Sequence, residues 1–180
     1  MFKEIDEALR DLKEKGGDPA NIFPGLMETT GSLIAGAFGV RNDEVAVLLV
    51  NSQNAMFRFV YPDTLYKAGT NTFPVSAASI AGQTFRTRKG RAYNDVTDVR
   101  HLSVYERVQT PGGPILHIQK LISAPLVLPD ETPIGVIQVS RKGKTTEEAG
   151  PDFTDADLAR LNEACRELAP RINGIIPADL

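Results

Sequence analysis

The chain has 180 residues, 42% of them hydrophobic and 24% charged, with a formal net charge of −3. That length builds one domain that buries a core without metal or disulfide help, and the acidic balance excludes a general nucleic-acid binder, which carries a basic surplus. The single cysteine, Cys165, excludes an intramolecular disulfide and a multi-cysteine metal site, and no run approaches the ~18 consecutive apolar residues of a membrane span.

The opening "MFKEIDEALRDLKEK" alternates charge and lacks the apolar centre of a secretory signal, so the expectation is a cytoplasmic protein. Phe2, Ile5, Leu9 and Leu12 recur at steps of three and four, which predicts a helix within residues 1–17 that ends at Gly16-Gly17. Asp18-Pro19 reads as an N-cap followed by proline at the first helical position, with a start at Pro24 as the alternative. Leu26, Thr30, Leu33, Ile34 and Ala37 then share one face until Gly39.

From Glu44 the period changes. "EVAVLLVNSQ" is a near-continuous apolar run, the mark of a central strand, and "AMFRFVY" alternates more cleanly. With Asn51-Ser52-Gln53-Asn54 between them they predict a hairpin. In "PVSAASIAGQTFRTRKG", Ser76 is placed to cap a helix whose Ile80 and Phe85 point inward and which stops at Gly90. Its end is strongly basic, with Arg86, Arg88, Lys89 and Arg91 in six positions. Basic side chains there complement the helix dipole and stay hydrated; the same cluster, at the mouth of a cavity, would draw in an anionic ligand.

"RAYNDV" predicts a brief strand, "DVRHLSVYERV" one or two helical turns, and Pro111-Gly112-Gly113-Pro114 an exposed turn. "LISAPLVL" and "PIGVIQVS" form a second hairpin, where Pro125 requires a bulge or an unpaired position. The last helix, over residues 154–173, is the best marked: Thr154 and Asp157 make a capping box, and Leu158, Leu161, Cys165, Leu168 and Ile172 form one stripe. Neither a linker nor a repeat divides residues 1–180, so they form a single domain.

Few motifs carry chemistry. Gly143-Lys144-Thr145 resembles the end of a phosphate-binding loop, but Gln138 stands where that loop needs its first glycine. His101 and His117 have no metal-ligand pattern around them, no nucleophile elbow occurs, and Cys165 lies on an apolar helical stripe. This reads as a non-enzyme. What remains is a pocket candidate made of Phe59 on the sheet, Ile80 and Phe85 on a helix, and the polar-aromatic group Tyr93, Asn94, Asp95, His101 and Tyr105. Small-molecule pockets combine such an apolar lining with a few placed polar groups. An ordinary core with a hydrated rim is the competing reading.

The order of these elements and several of their stretches resemble a GAF domain. "SIAGQTFRTRKGRAYNDV" is similar to that family's helix, glycine, basic turn and brief strand ending in aspartate, with Gly82, Gly90 and Asp95 in the matching places. "LISAPLVLPDETPIGVIQVSRKG" is similar to its paired late strands through Pro125-Leu126 and Gly135-Val136, and "FTDADLARLNEACRELAPRI" to its closing helix. The resemblance runs from roughly residue 20 to residue 174.

It implies an α+β fold, with a central antiparallel sheet of five or six strands, helices on both faces, and the two terminal helices packed together as a homodimer bundle. It also implies a ligand cavity on the other face, roofed by residues 76–88 and 93–108. Members of the family sense small molecules such as cyclic nucleotides, bilins, haem or metabolites. Bilin binders attach the pigment through a cysteine near the pocket, and the family's free methionine sulfoxide reductases need cysteines on pocket loops; here the one cysteine is on the terminal helix. The cyclic-nucleotide signature is half missing, since Ser140-Arg141 replaces its Asn-Lys, and Leu158 follows Asp157 where it has Glu. The resulting expectation is a sensor of an unidentified small molecule, its cofactor unknown. Lacking an output domain, it would signal through its dimer or a partner protein, without nucleic acid or membrane. The alternative is a non-catalytic interaction module whose pocket is filled by Phe57, Phe59, Phe73 and Phe85.

Overall fold

The structure, a computed structural model, describes residues 2–14, 19–51, 53, 55–67, 72–76, 78–96, 116–177 and 180. In chain order these form α1 (Phe2–Glu14), α2 (Pro19–Phe38), a 3-10 turn (Asn42–Glu44), β1 (Val45–Asn51) and β2 (Met56–Tyr61). There follow α3 (Asp63–Lys67), β3 (Thr72–Pro74), α4 (Ile80–Thr87), β4 (Arg91–Tyr93), β5 (His117–Val127), β6 (Pro133–Gly143) and α5 (Asp155–Asn173). The fold is α+β, with one six-stranded antiparallel sheet in the order β3-β2-β1-β6-β5-β4.

The inner strands β1, β5 and β6 are buried on both faces, and their alternation sorts side chains into two cores. Val45, Val47 and Leu49 of β1, with Ile137 and Val139 of β6 and Ile122, Ala124 and Leu126 of β5, face one way, against α1, α2 and α5. Ala46, Leu48, Val136 and Leu121 face the other, toward α4. Two register shifts correct the alternation where it would fail. Val47 pairs with Tyr61 but Leu48 with Phe59, so the extra residue Val60 lets both Val60 and Tyr61 join the first core. Gln119 is the extra residue in β5, and Ile118 and Leu121 therefore share a face at a spacing of three. Without these bulges every side chain beyond them would point to the wrong side.

Helix α2 begins at Pro19, so Pro24 lies inside it rather than at its start. It ends where Gly39 takes a left-handed φ of 60°, with Val40 N–H donating to Ala35 O at 3.0 Å and Gly39 N–H to Gly36 O at 3.4 Å. This is the Schellman arrangement, which needs a residue free to adopt positive φ. At the other end of the chain, Thr154 and Asp157 form the expected capping box of α5, and Leu161, Cys165, Leu168 and Ile172 are each fully buried. Their stripe is spent against the sheet within the chain, and Ile5 of α1 belongs to the same core. Arg171 of α5 reaches Asp6 of α1 at 2.7 Å, so the two terminal helices lie together. Pro125 sits beyond the end of β4, whose pairing with β5 stops at Ser123, and its missing N–H therefore breaks no ladder bond on that side.

The start and stop of α4 differ from expectation. Ser79, not Ser76, is the N-cap, its Oγ accepting from Gly82 N–H at 3.0 Å. Arg88, not Gly90, closes the helix with φ 53°. Gly90 serves close packing instead. A Cβ there would lie 2.5 Å from Asn162 Oδ1, so glycine lets the turn after α4 press against α5. The turns expected over residues 98–108 and 111–114 lie outside the described residues.

Candidate functional site

The α4 face of the sheet carries an aromatic layer. Alternation along β2 puts Phe57 and Phe59 on this face, β3 adds Phe73, and α4 lays Ile80, Ala81 and Phe85 over them. Phe57 meets Phe73 at 5.2 Å between ring centroids and Phe85 edge-on at 5.4 Å; Phe59 lies 6.0 Å from Phe73. Offset and edge contacts of this kind add about 1 kcal/mol each to the area they bury. Phe57 is fully buried and Phe59 is 3% exposed, whereas Phe85 is half-buried at the margin.

Of the eight residues expected to line a pocket, four come together here: Phe59 and Ile80 within the layer, Phe85 and Tyr93 packed against it. Tyr93 Oη donates to Gln83 Oε1 at 3.1 Å, tying β4 to α4. Asn94 is turned to other work. Its Nδ2 donates to Phe153 O at 3.0 Å, and its Oδ1 accepts from Phe153 N–H at 2.8 Å. Phe153 belongs to the opposite core, so the carboxamide straps the sheet edge to the start of α5 rather than facing the aromatic layer. Asp95 is exposed, and His101 and Tyr105 lie outside the described residues. Sequence reasoning missed Gln83; its position three residues after Ile80 on a helix was the available signal.

The basic cluster divides. Arg86 Nη1 donates to Val75 O at 2.5 Å, on the β3 side. Arg88 and Lys89 instead line a groove of about 940 Å³ between the turn after α4, the end of β5 and the polar side of α5. The expectation that the whole cluster stands at the mouth of the α4-side cavity is therefore corrected: the left-handed turn at Arg88 and the Gly90–Asn162 approach carry part of it to α5. Asn162 and Arg166 also line that groove.

The remaining buried ionisable groups are structural. Lys142 Nζ reaches Asp43 Oδ2 at 3.2 Å and Asp43 O at 2.7 Å; burial lowers its pKa, opposed by the Asp43 charge. Glu44 Oε1 accepts from Lys142 N–H at 2.6 Å, which pins the 3-10 turn to β6. Burial pushes the Tyr61 hydroxyl up to about 12, helped by the negative charge of Glu28. Burial also pushes the Cys165 thiol up, and its Sγ sits 3.8 Å from Ala124 O in the core. Among the described residues no three His, Cys, Asp or Glu side chains gather as a metal site, and no helix is long and apolar enough to cross a membrane.

No family model matches the chain, and no curated protein does. Solved structures do. The GAF domain of an Acinetobacter phosphoenolpyruvate-protein phosphotransferase superposes with a TM-score of 0.62 at 13% identity, covering 95% of this chain and 94% of that one. The chain has a GAF fold. A methyl-accepting chemotaxis protein matches with a TM-score of 0.66 at 15% identity, over 97% of this chain and 95% of that one. A free methionine-R-sulfoxide reductase from Neisseria meningitidis, solved with its substrate, matches with a TM-score of 0.63 at 16% identity, over 97% and 87%. The same fold thus occurs in a phosphotransferase, a chemotaxis protein and a sulfoxide reductase. In this GAF-fold chain the one thiol is fully buried beneath α5, on the far side of the sheet from the aromatic layer.

Proposed function

We propose that this chain is a non-catalytic sensor that takes a small, largely apolar molecule on the α4 side of its GAF sheet and signals through contacts with another chain. The observation that carries this reading is the asymmetry of the two cores. Residues of α1, α2 and α5 fill the core on one side, whereas among the described residues the aromatic layer is covered by α3 and α4, helices of five and eight residues. A ligand entering there exchanges ring contacts with Phe85 and Phe59 and moves α4, and β4 follows through Tyr93–Gln83. Coupling to a second copy or to a partner runs through the outer faces of α1 and α5, which carry charged residues such as Lys3, Glu7 and Arg10. A binding-linked shift of this kind needs only a difference in affinity between two arrangements of α4.

The chain contains no tryptophan, so Phe85→Trp places a sole tryptophan reporter at the margin of the layer. Native mass spectrometry of freshly purified protein identifies a carried molecule and the subunit count. Adding that molecule, or hits from a metabolite thermal-shift screen, to the Phe85→Trp variant then supports the site by a saturable emission shift. Binding with unchanged emission removes it.

A second reading is favoured by the ring contacts themselves. Phe57, Phe59, Phe73 and Phe85 fill the layer with one another, as an interaction module with no ligand requires. Bare protein together with a screen that yields no binder supports this reading.

A further inference from the structure

We propose that the groove between the turn after α4, the end of β5 and α5 is a second binding site, for an amphipathic anion bearing a carboxylate or phosphate on an apolar body. The groove is open to solvent on one side, measures about 940 Å³ and shares no residue with the aromatic layer. Apolar side chains line part of it, Pro125 and Val127 of β5 beyond its pairing with β4, then Leu128 and Pro129. Its rim carries three cations, Arg88, Lys89 and Arg166. Apolar linings with a few placed polar groups, at volumes up to roughly 1,000 Å³, are the form of small-molecule sites.

Charge selects the ligand class. Among the described residues, none of the three cations has an acidic partner within ion-pair distance. Two carboxylates also reach the groove, Glu131 and Glu167. Glu167 is turned to Arg171 at 3.2 Å and Glu131 stands at the exposed tip of the β5–β6 turn, so the lining keeps an excess of one positive charge, three cations against two carboxylates. An anion is thus drawn in, and guanidinium groups present forked donors to carboxylate or phosphate oxygens.

The geometry is held in place. Arg88 adopts φ 53°, an uncommon conformation for a residue with a Cβ. Gly90 leaves the Asn162 carboxamide room where a Cβ would displace it, and Lys89 and Arg166 line the same groove.

The test uses octanoate and octyl phosphate as probes, with 1-octanol as the uncharged control, followed by amide NMR shifts and by affinity at two salt concentrations. Both anions are expected to bind saturably, more weakly at high salt, with shifts at Gly90, Leu128 and Asn162 and with 1-octanol about tenfold weaker. Tighter binding of one anion names the headgroup. Arg88→Asn, Lys89→Gln and Arg166→Gln combined, with asparagine chosen because it tolerates positive φ, should weaken octanoate about tenfold and leave the thermal midpoint in place. Absence of binding, equal affinity for 1-octanol, an unaffected triple variant, or shifts confined to Phe57, Phe59 and Phe85 would each overturn the proposal. The last result would leave the α4-side sensor reading standing.

Discussion

The carboxamide of Asn94 brackets Phe153, donating to its carbonyl at 3.0 Å and accepting from its N–H at 2.8 Å. One side chain at the edge of the sheet thereby satisfies both main-chain groups of the residue that enters α5. Asn94→Ala leaves both groups without their partner and should cost about 2–3 kcal/mol in urea unfolding. Asn94→Asp keeps the acceptor and sets a carboxylate oxygen against Phe153 O, so it should also destabilise. A variant as stable as the parent would mean that the strap carries nothing.

Phe57 tests the aromatic layer. It is fully buried between Phe73 and Phe85, so Phe57→Ala should lose about 3–5 kcal/mol. Phe85→Ala, at the half-buried margin, should lose clearly less. Calorimetry on the two variants checks the order; the reverse order would place α4 deeper than the ring geometry does.

The capping box makes a pH prediction. Asp157 accepts from Thr154 N–H at 2.9 Å, and that bond, followed by the one from the Thr154 hydroxyl, holds its pKa below the ordinary carboxylate value. A depressed folded pKa stabilises above the unfolded value of about 3.9 and loses that contribution as pH falls through the folded pKa. Asp157→Asn should therefore be less stable than the parent at neutral pH, with the gap narrowing as pH falls from about 5 to about 2. Thr154→Ala should cost about 1 kcal/mol at neutral pH.

Gly135 faces Leu49 across the β1–β6 pairing, and a Cβ on it would run into the Leu48 carbonyl and press on the Leu49 side chain at 2.8 Å. Backbone in the middle of a sheet has no room to yield. Gly135→Ala should lower the thermal midpoint by several degrees or abolish soluble expression. Gly36→Ala, where the added Cβ meets nothing within 4 Å, is the matched control and should be neutral or stabilising.

Cys165 is fully buried, and burial raises its thiol pKa. A thiol-specific disulfide reagent should react with it at the rate of unfolding, and urea should accelerate the reaction to completion. Fast labelling of the native protein would show that α5 opens readily from the sheet.

Periodicity carried much of this fold in the sequence itself. The 3-4 spacing of Leu161, Cys165, Leu168 and Ile172, the apolar run of β1 and the Thr154–Asp157 box are local patterns whose physics acts within one turn or one strand, and each appears where those patterns put it. Ile80 and Phe85 likewise turn toward the sheet as read, Ile80 buried and Phe85 at the margin. The cap itself is the exception: Ser79 takes the place expected of Ser76, because the chain reaches the sheet at Val75 and turns before the helix can start.

Tertiary structure decided what local pattern does not encode. The strap from Asn94 to Phe153 joins positions 59 residues apart, and no spacing rule links them. The meeting of Gly90 with Asn162, which sends Arg88 and Lys89 toward α5, depends on the sheet setting β4 beside β5 and α5 across β5. The apolar stripe of α5 was legible as a stripe, but by sequence alone the sheet and a second subunit are equally good partners for it. Only the packed chain shows the sheet taking it, because burial is a property of what lies opposite, and what lies opposite comes from distant sequence.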